Sequence, residues 1–274
     1  MKNRLLPRRA RAFTLLEVTL TSALMVVLMI FLGEAFRQSQ KVFRNTNSTS
    51  DASGELRSIV HRLSRDLRQS QRDQVQTTNA PATTTGPDGS ALWFLSNLDP
   101  TTQQPQFLLD GSPRWQRNIL YYMRVPNNHA ALFGYNCGGG AGPGPLAHND
   151  RCPHKVLIRK VIDFGAPTTV TDDVVEPLMT DIEVATYLTQ PNGYSTANMS
   201  GEAGLEETMI VARRMLDFEV LPAPPAFQNG GPIDIDLRAV GIARAQREVS
   251  FGTTSLYDSR FTYHFSLTLM PNTP

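Results

Sequence analysis

Glu17 is the residue whose surroundings point most clearly to a chemical role. It is the only charged residue in 13–33, a run made mostly of large apolar side chains. An ionised carboxylate is unfavourable in hydrocarbon, so acids in such segments usually have a partner and a function. We therefore predict that Glu17 pairs with a cation. The alternative is a glutamate near the end of the run whose carboxylate reaches the lipid headgroups.

Cys137 and Cys152 are the two cysteines, and they flank a Gly- and Pro-rich stretch at 138–145. If this part of the chain is exported, the compartment favours a disulfide between them, which stabilises by about 3 kcal/mol in the chain-entropy model. The alternatives are free thiols, or a zinc site with His148 and His154, although this ligand spacing is not a standard one. The glycines lack the Gly-Lys-Ser/Thr ending of a phosphate loop. We predict the disulfide and no metal.

No catalytic motif is present in the sequence. Neither Gly-x-Ser-x-Gly nor His-Glu-x-x-His occurs, and these are the patterns of common hydrolases and metalloproteases. The histidines are far apart in sequence, at positions 61, 129, 148, 154 and 264. Asp172, Asp173 and Glu176 could hold calcium, but three acids in a loop are more often solvated. We expect no cofactor and no enzymatic activity; a membrane-anchored periplasmic enzyme or adhesin is the alternative.

The positive charge is concentrated at the start of the chain. Residues 1–12 carry five basic side chains and no acid, which leaves 21 basic against 25 acidic residues in the remainder. That remainder lacks the basic surface of a nucleic-acid-binding protein. The apolar run after the leader would span about 30 Å as a helix, and the cations before it should keep the N-terminus in the cytoplasm. An ordinary cleaved signal peptide and a plain single-span anchor are the alternatives.

Residues 12–17, Ala-Phe-Thr-Leu-Leu-Glu, resemble the class III signal of type IV pilins and type II secretion pseudopilins. In that family a prepilin peptidase cuts before a Phe, methylates the new amine and leaves a Glu at the fifth mature position. The resemblance implies cleavage between Ala12 and Phe13, N-methylation of Phe13, and pairing of Glu17 with the Phe13 ammonium of a neighbouring subunit. The family usually has Gly where Ala12 stands, and the helix-breaking Pro of major pilins is absent from 13–36.

A second helical pattern follows, in which apolar residues recur at steps of three and four. The apolar residues are Leu56, Ile59, Val60, Leu63 and Leu67. The charged residues of the same stretch are Arg57, Arg62, Arg65, Asp66, Arg68 and Arg72. We interpret the charged side as a solvated face with local ion pairs, in preference to a nucleic-acid contact. Between the two helical patterns, 45–54 is polar and a poor helix former, so either a bend or override by tertiary contacts is expected.

From residue 76 the pattern changes to a loop at 77–89 and then short strands. Strands are predicted at 91–95, 118–125, 155–163, 181–188, 215–221, 233–242 and 261–270. Alternation is clearest at 233–237, where aspartates separate apolar residues, and this indicates a half-buried antiparallel strand. The prediction is an α+β fold: a cleaved leader at 1–12, a helix at 13–73 that spans the membrane in 13–36 and is amphipathic in 55–72, and a β-rich domain at 74–274. The helix should cover one face of the sheet.

The segments 64–68, 216–220 and 232–240 also resemble W-type minor pilins and J-type pseudopilins. The resemblance implies a minor subunit that helps to initiate a type IV pilus near its tip, with the J-type pseudopilin of a type II secretion system as the alternative. Implied partners are prepilin peptidase, other minor pilins or pseudopilins, the major pilin and the inner membrane, with no nucleic acid. The β-rich domain would lie in the periplasm and later in the filament.

Overall fold

The computed structural model describes residues 14–79, 90–99, 101–133, 152, 154–165, 174–221, 232–240 and 262–269. The chain divides into two compact units, Met1–Asn47 and Ser48–Pro274. The first unit contains the beginning of a long helix, and the second contains the end of that helix together with a β-sheet. The division therefore falls within the polar stretch of the helix.

The long helix, α1, runs from Leu15 to Leu67. Residues 45–54 are helical despite their poor propensity, which corresponds to the second of the two expected outcomes. Ala52 and Leu56 are each only 4% exposed and belong to the apolar core of the second unit. Burial of this kind commonly outweighs helix propensity.

The remaining elements lie in the second unit. They are β1 (Val75–Asn79), β2 (Ser90–Ser96), β3 (Arg117–Arg124), α2 (His129–Phe133), β4 (Lys155–Ile162), α3 (Asp181–Thr186), β5 (Leu205–Leu221), β6 (Ile233–Val240) and β7 (Thr262–Leu269). Short 3-10 turns occur at Arg72–Gln74 and Ala197–Met199. The seven strands form one sheet in the order β1 to β7, and every neighbouring pair is antiparallel.

One face of the sheet packs on the apolar stripe of α1. Ile59 and Leu63 are fully buried in the same core cluster as Phe94 of β2 and Tyr121 of β3. The rings of Phe94 and Tyr121 stack with centroids 6.3 Å apart. The apolar stripe predicted for this helix therefore packs on one sheet face as expected, but α1 ends at Leu67, before the predicted ends at 72 and 73.

The opposite face of the sheet is covered as well. Trp93 and Tyr122, which alternate with the α1-facing residues, pack with Val184 of α3 and Met199. The Trp93 indole N–H donates to the carbonyl of Met179 at 2.8 Å, so this large side chain is buried without an unpaired donor. The amphipathic helix predicts a covered sheet on one face only, whereas the middle of the sheet is covered on both faces.

The predicted strands at 91–95, 118–125, 155–163, 215–221, 233–242 and 261–270 correspond to β2, β3, β4, β5, β6 and β7. The strand predicted at 181–188 is wrong, because α3 occupies most of it. Thr180 and Glu183 form a capping box there: the Thr180 amide donates to the Glu183 carboxylate at 2.7 Å. This local pairing of two ends of one turn favours a helix start over a strand. β1 was missed, since the predicted loop began at Thr77.

The fold is thus α+β, with a long apolar N-terminal helix and a seven-stranded antiparallel sheet. β4 is buried along its whole length. Because both faces of the sheet are covered there, its charged residues Lys155, Arg159 and Lys160 need partners inside the protein. The Lys155 ammonium donates to the Leu216 carbonyl at 2.8 Å. The partners of Arg159 and Lys160 lie on neighbouring elements and are described below.

Candidate functional site

The first part of α1 exposes its apolar side chains. Leu24 is 61% exposed, Ile30 66% and Phe31 72%, and the other large apolar residues between Leu15 and Phe43 are similar. This is the one helix in the described part of the chain that is long and apolar enough to cross a membrane. A surface of this kind is stable in lipid or against another apolar helix, and unfavourable in water.

Glu17 lies in the first turn of this helix and is paired with Thr14. The Thr14 amide and hydroxyl donate to Glu17 Oε2 at 3.1 and 3.2 Å, and the Glu17 amide donates to the Thr14 hydroxyl at 3.3 Å. This is a capping box that satisfies amides at the start of the helix. Both hydrogen bonds from Thr14 end on Oε2. The other carboxylate oxygen, Oε1, can therefore accept a hydrogen bond from a cation.

Three other polar side chains in the apolar segment are satisfied within the helix. The hydroxyls of Thr19, Thr21 and Ser22 donate to main-chain carbonyls three or four residues earlier, at 2.9, 2.8 and 2.6 Å. Hydroxyls bonded in this way can be accommodated in lipid. Glu17 differs from these hydroxyls because it is the only ionisable side chain between Thr14 and Gly33.

Several predicted site residues lie outside the described part of the chain. These are Ala12 and Phe13 at the predicted cleavage site, Cys137 of the predicted disulfide, His148, and the Asp172–Asp173 pair. Cleavage, methylation and the disulfide remain predictions. Glu176, the third acid of the possible calcium site, is described and is only 1% exposed.

Glu176 is part of the internal hydrogen-bond network rather than a solvated loop acid. Its carboxylate accepts from Asn118 Nδ2 at 2.7 Å and from the amides of Phe164 and Gly165 at 2.6 and 3.1 Å. Burial raises the pKa of Glu176, while these hydrogen bonds act in the opposite direction. The expectation of a solvated side chain is wrong here, because the carboxylate is needed to bind the amides that follow β4.

Asp66 also departs from the predicted solvated face of α1, being 1% exposed. Its Oδ2 accepts from Arg159 Nε at 2.6 Å and from the Tyr121 hydroxyl at 2.7 Å. Burial raises the pKa of Tyr121, and the Asp66 charge adds to this effect. Burial lowers the pKa of Arg159, but Asp66, Tyr121 and Glu207 together more than offset it, so the net shift is upward. These contacts join α1 to β3 and β4.

A cavity of about 420 Å³ lies beside this ion pair, between the end of α1 and the sheet. The buried guanidiniums on its wall already have carboxylate partners: Arg159 has Asp66, and Arg117 has Glu206 at 2.6 Å. Lys160, on the other face of β4, is fully buried and donates to the Tyr187 carbonyl at 2.6 Å and to Glu202 at 2.5 Å. Burial lowers the pKa of Lys160, opposed by Glu202. These pairings explain how the charges of Arg117, Arg159 and Lys160 are accommodated inside the protein. They also link the sheet to α1 on one face and to the segment after α3 on the other.

Three side chains of types that can bind metals lie close together, in the segments that follow the end of β3 and precede the start of β4. His129, Cys152 and His154 are 2%, 1% and 2% exposed, and one ligand atom from each lies within 4.8 Å of the others. The sequence analysis considered His154 with His148 and missed His129. No local pattern in the sequence links His129 to His154. They come together because β3 and β4 pair, which brings the residues after β3 close to those before β4.

Comparison with known proteins finds no matching family model, no similar curated protein and no similar solved structure.

Proposed function

We propose that this chain is a minor pilin-like subunit that helps to initiate a type IV pilus and lies near the filament tip. The observation that carries the proposal is Glu17, a carboxylate in the first turn of α1, whose segment 15–33 is otherwise uncharged and exposes its large apolar side chains. In the sequence, a basic segment and a junction resembling a prepilin cleavage site come immediately before it. The α+β second unit supports the same assignment.

The exposed apolar part of α1 suits such a subunit both in the membrane, before assembly, and in the filament. Before assembly, lipid would cover the apolar side chains of residues 15–32. In a filament, apolar helices of neighbouring subunits would replace the lipid, which keeps the same surface out of water.

Glu17 supplies the polar element that such an assembly needs. Cleavage before Phe13 would create an ammonium close to the apolar segment, and an unpaired charge there costs several kcal/mol. A neighbouring subunit's Glu17 can offset this cost through its free carboxylate oxygen. Because the pair forms only when the two helices are correctly staggered, it sets the axial register of assembly as well as adding attraction.

The same features support a J-type pseudopilin of a type II secretion system as the alternative. Deleting the gene distinguishes the two roles, since one predicts loss of surface pili and the other loss of secreted proteins. The identity of the neighbouring genes gives the same distinction without an experiment.

Processing tests the family assignment directly. Intact-mass and N-terminal analysis of the protein from membranes should show a chain that begins at Phe13 with a methylated amine. Ala12→Gly, which restores the family's usual residue, should preserve that start, and Ala12→Leu should block it because the junction needs a small residue. A mature chain that begins elsewhere, or one that retains Met1, would contradict the assignment.

A further inference from the structure

Two imidazoles and one thiol converge on a single buried point in the second unit. His129 Nε2 lies 2.9 Å from His154 Nδ1 and 3.6 Å from Cys152 Sγ. All three side chains are at most 2% exposed. Since each offers an atom that binds transition metals, we propose that His129, Cys152 and His154 form a zinc site.

The distances can be compared with those that zinc requires. With Zn–N of about 2.05 Å and Zn–S of about 2.3 Å in tetrahedral geometry, nitrogen and sulfur ligands are about 3.55 Å apart and two nitrogens about 3.35 Å. The observed 3.6 Å between Cys152 Sγ and His129 Nε2 matches the first value. The ligand atoms of Cys152 and His154 lie within 4.8 Å of each other, so this pair must approach by up to about 1.2 Å. The two histidine nitrogens, at 2.9 Å, must separate by about 0.4 Å, a change that small rotations of the rings provide.

The fold holds the three residues at this point from both sides. β3 and β4 are antiparallel, with Arg124 opposite Val156, so the segment that leaves β3 is close to the segment that enters β4. His129 begins α2, and its amide donates to the Pro126 carbonyl at 3.1 Å. The ring of Phe133 stacks on His154 at 3.7 Å and an interplanar angle of 14°, which supplies an apolar wall.

The ligand set and its burial favour zinc in a structural role. A thiolate and two imidazoles are typical zinc ligands, and a tetrahedral zinc would need one more ligand beside these three. All three side chains are buried, which favours a site that stabilises the fold over one that meets a substrate. The site would link the segment after β3 to the start of β4. A disulfide from Cys152 to Cys137 would use the same sulfur, so the predicted bridge and the zinc site are mutually exclusive.

The experiment measures zinc and thiols in the full-length protein, purified in detergent without chelators. We expect about one zinc per chain by inductively coupled plasma mass spectrometry. After denaturation in the presence of a chelator, both cysteines should be alkylated without any reductant. Replacing zinc with cobalt should give a thiolate-to-cobalt charge-transfer band that Cys152→Ser abolishes. Cys152→Ser, His129→Gln and His154→Gln should each weaken zinc binding by more than the roughly 10–100-fold caused by losing a supporting hydrogen bond.

His61→Gln is the matched control, because His61 is exposed on α1 and should leave zinc unchanged. Near-ultraviolet circular dichroism of each variant separates loss of the site from loss of the fold. The proposal is overturned if the cysteines are alkylated only after reduction, or if the folded protein binds neither added zinc nor cobalt. It is also overturned if the folded ligand variants retain zinc like the control, or if the purified protein contains stoichiometric copper.

Discussion

Asp217 on β5 is a buried carboxylate that the fold satisfies poorly. It is 1% exposed, its Oδ2 receives no hydrogen bond within the described residues, and the Arg238 guanidinium lies 3.8 Å away. Burial raises the pKa of Asp217 from 3.8 to about 6, against the attraction of Lys155 and Arg238. We therefore expect Asp217→Asn to stabilise the protein at neutral pH.

The size and pH dependence follow from the pKa. Raising a pKa from 3.8 to about 6 corresponds to about 3 kcal/mol, since each pKa unit is worth about 1.4 kcal/mol. The folded state holds the proton more tightly than the unfolded state, so the wild type loses this free energy of unfolding as pH rises from about 4 to about 6. Asn resembles the protonated acid and does not ionise. The variant should thus gain about 3 kcal/mol at pH 7 and almost nothing at pH 4.

Urea unfolding of the full-length chain in detergent, at pH 4 and pH 7, measures the difference. The buried Trp93 and Trp115 provide the fluorescence signal. Asp73→Asn is the control, because Asp73 is exposed and its substitution should change stability by less than about 0.5 kcal/mol at either pH. The reasoning is refuted if Asp217→Asn is less stable than the wild type at pH 7, or if its advantage is the same at both pH values.

Two further substitutions test the charges of α1. Glu17→Ala should leave membrane insertion intact but weaken co-purification with partner minor subunits and reduce filament initiation, whereas Glu34→Ala, an exposed acid of the same helix, should do neither; unchanged partner recovery for Glu17→Ala would exclude the pairing role. Asp66→Asn should lower the free energy of unfolding by up to about 3–5 kcal/mol, because Arg159 loses its closest carboxylate and keeps the half-exposed Glu207 at 2.9 Å. The two Asn substitutions should change the free energy of unfolding in opposite directions, because Asp66 is closely paired with Arg159 whereas Asp217 is poorly paired. If both substitutions changed it in the same direction, this explanation would be contradicted.

The regular parts of the fold follow from local patterns in the sequence. The three- and four-residue steps of Ile59 and Leu63 predicted the buried stripe of α1, and the alternation at 233–237 predicted β6, because each element buries one face. The strand predicted at 181–188 is wrong because the capping box of Thr180 and Glu183 starts α3 there.

The buried charges could not be predicted in the same way. Asp66 follows Arg65 in a charged run and has nothing local that distinguishes it from a solvated residue. Its burial depends on Arg159, which is far away in sequence and reaches it only through the pairing of the helix with β4. His129 was missed for the same reason, since its proximity to His154 depends on the register of β3 and β4.

The order of the strands has a consequence for synthesis. Among the strands that the structure describes, each pairs with the one before it in the chain, from β1 to β7, so none of these has to wait for a much later one to form its hydrogen bonds. The apolar stripe of α1 is made before all of them and presents a surface on which the sheet can grow. The sheet can therefore form strand by strand as the chain is synthesised, which shortens the time that each unpaired edge is open to aggregation.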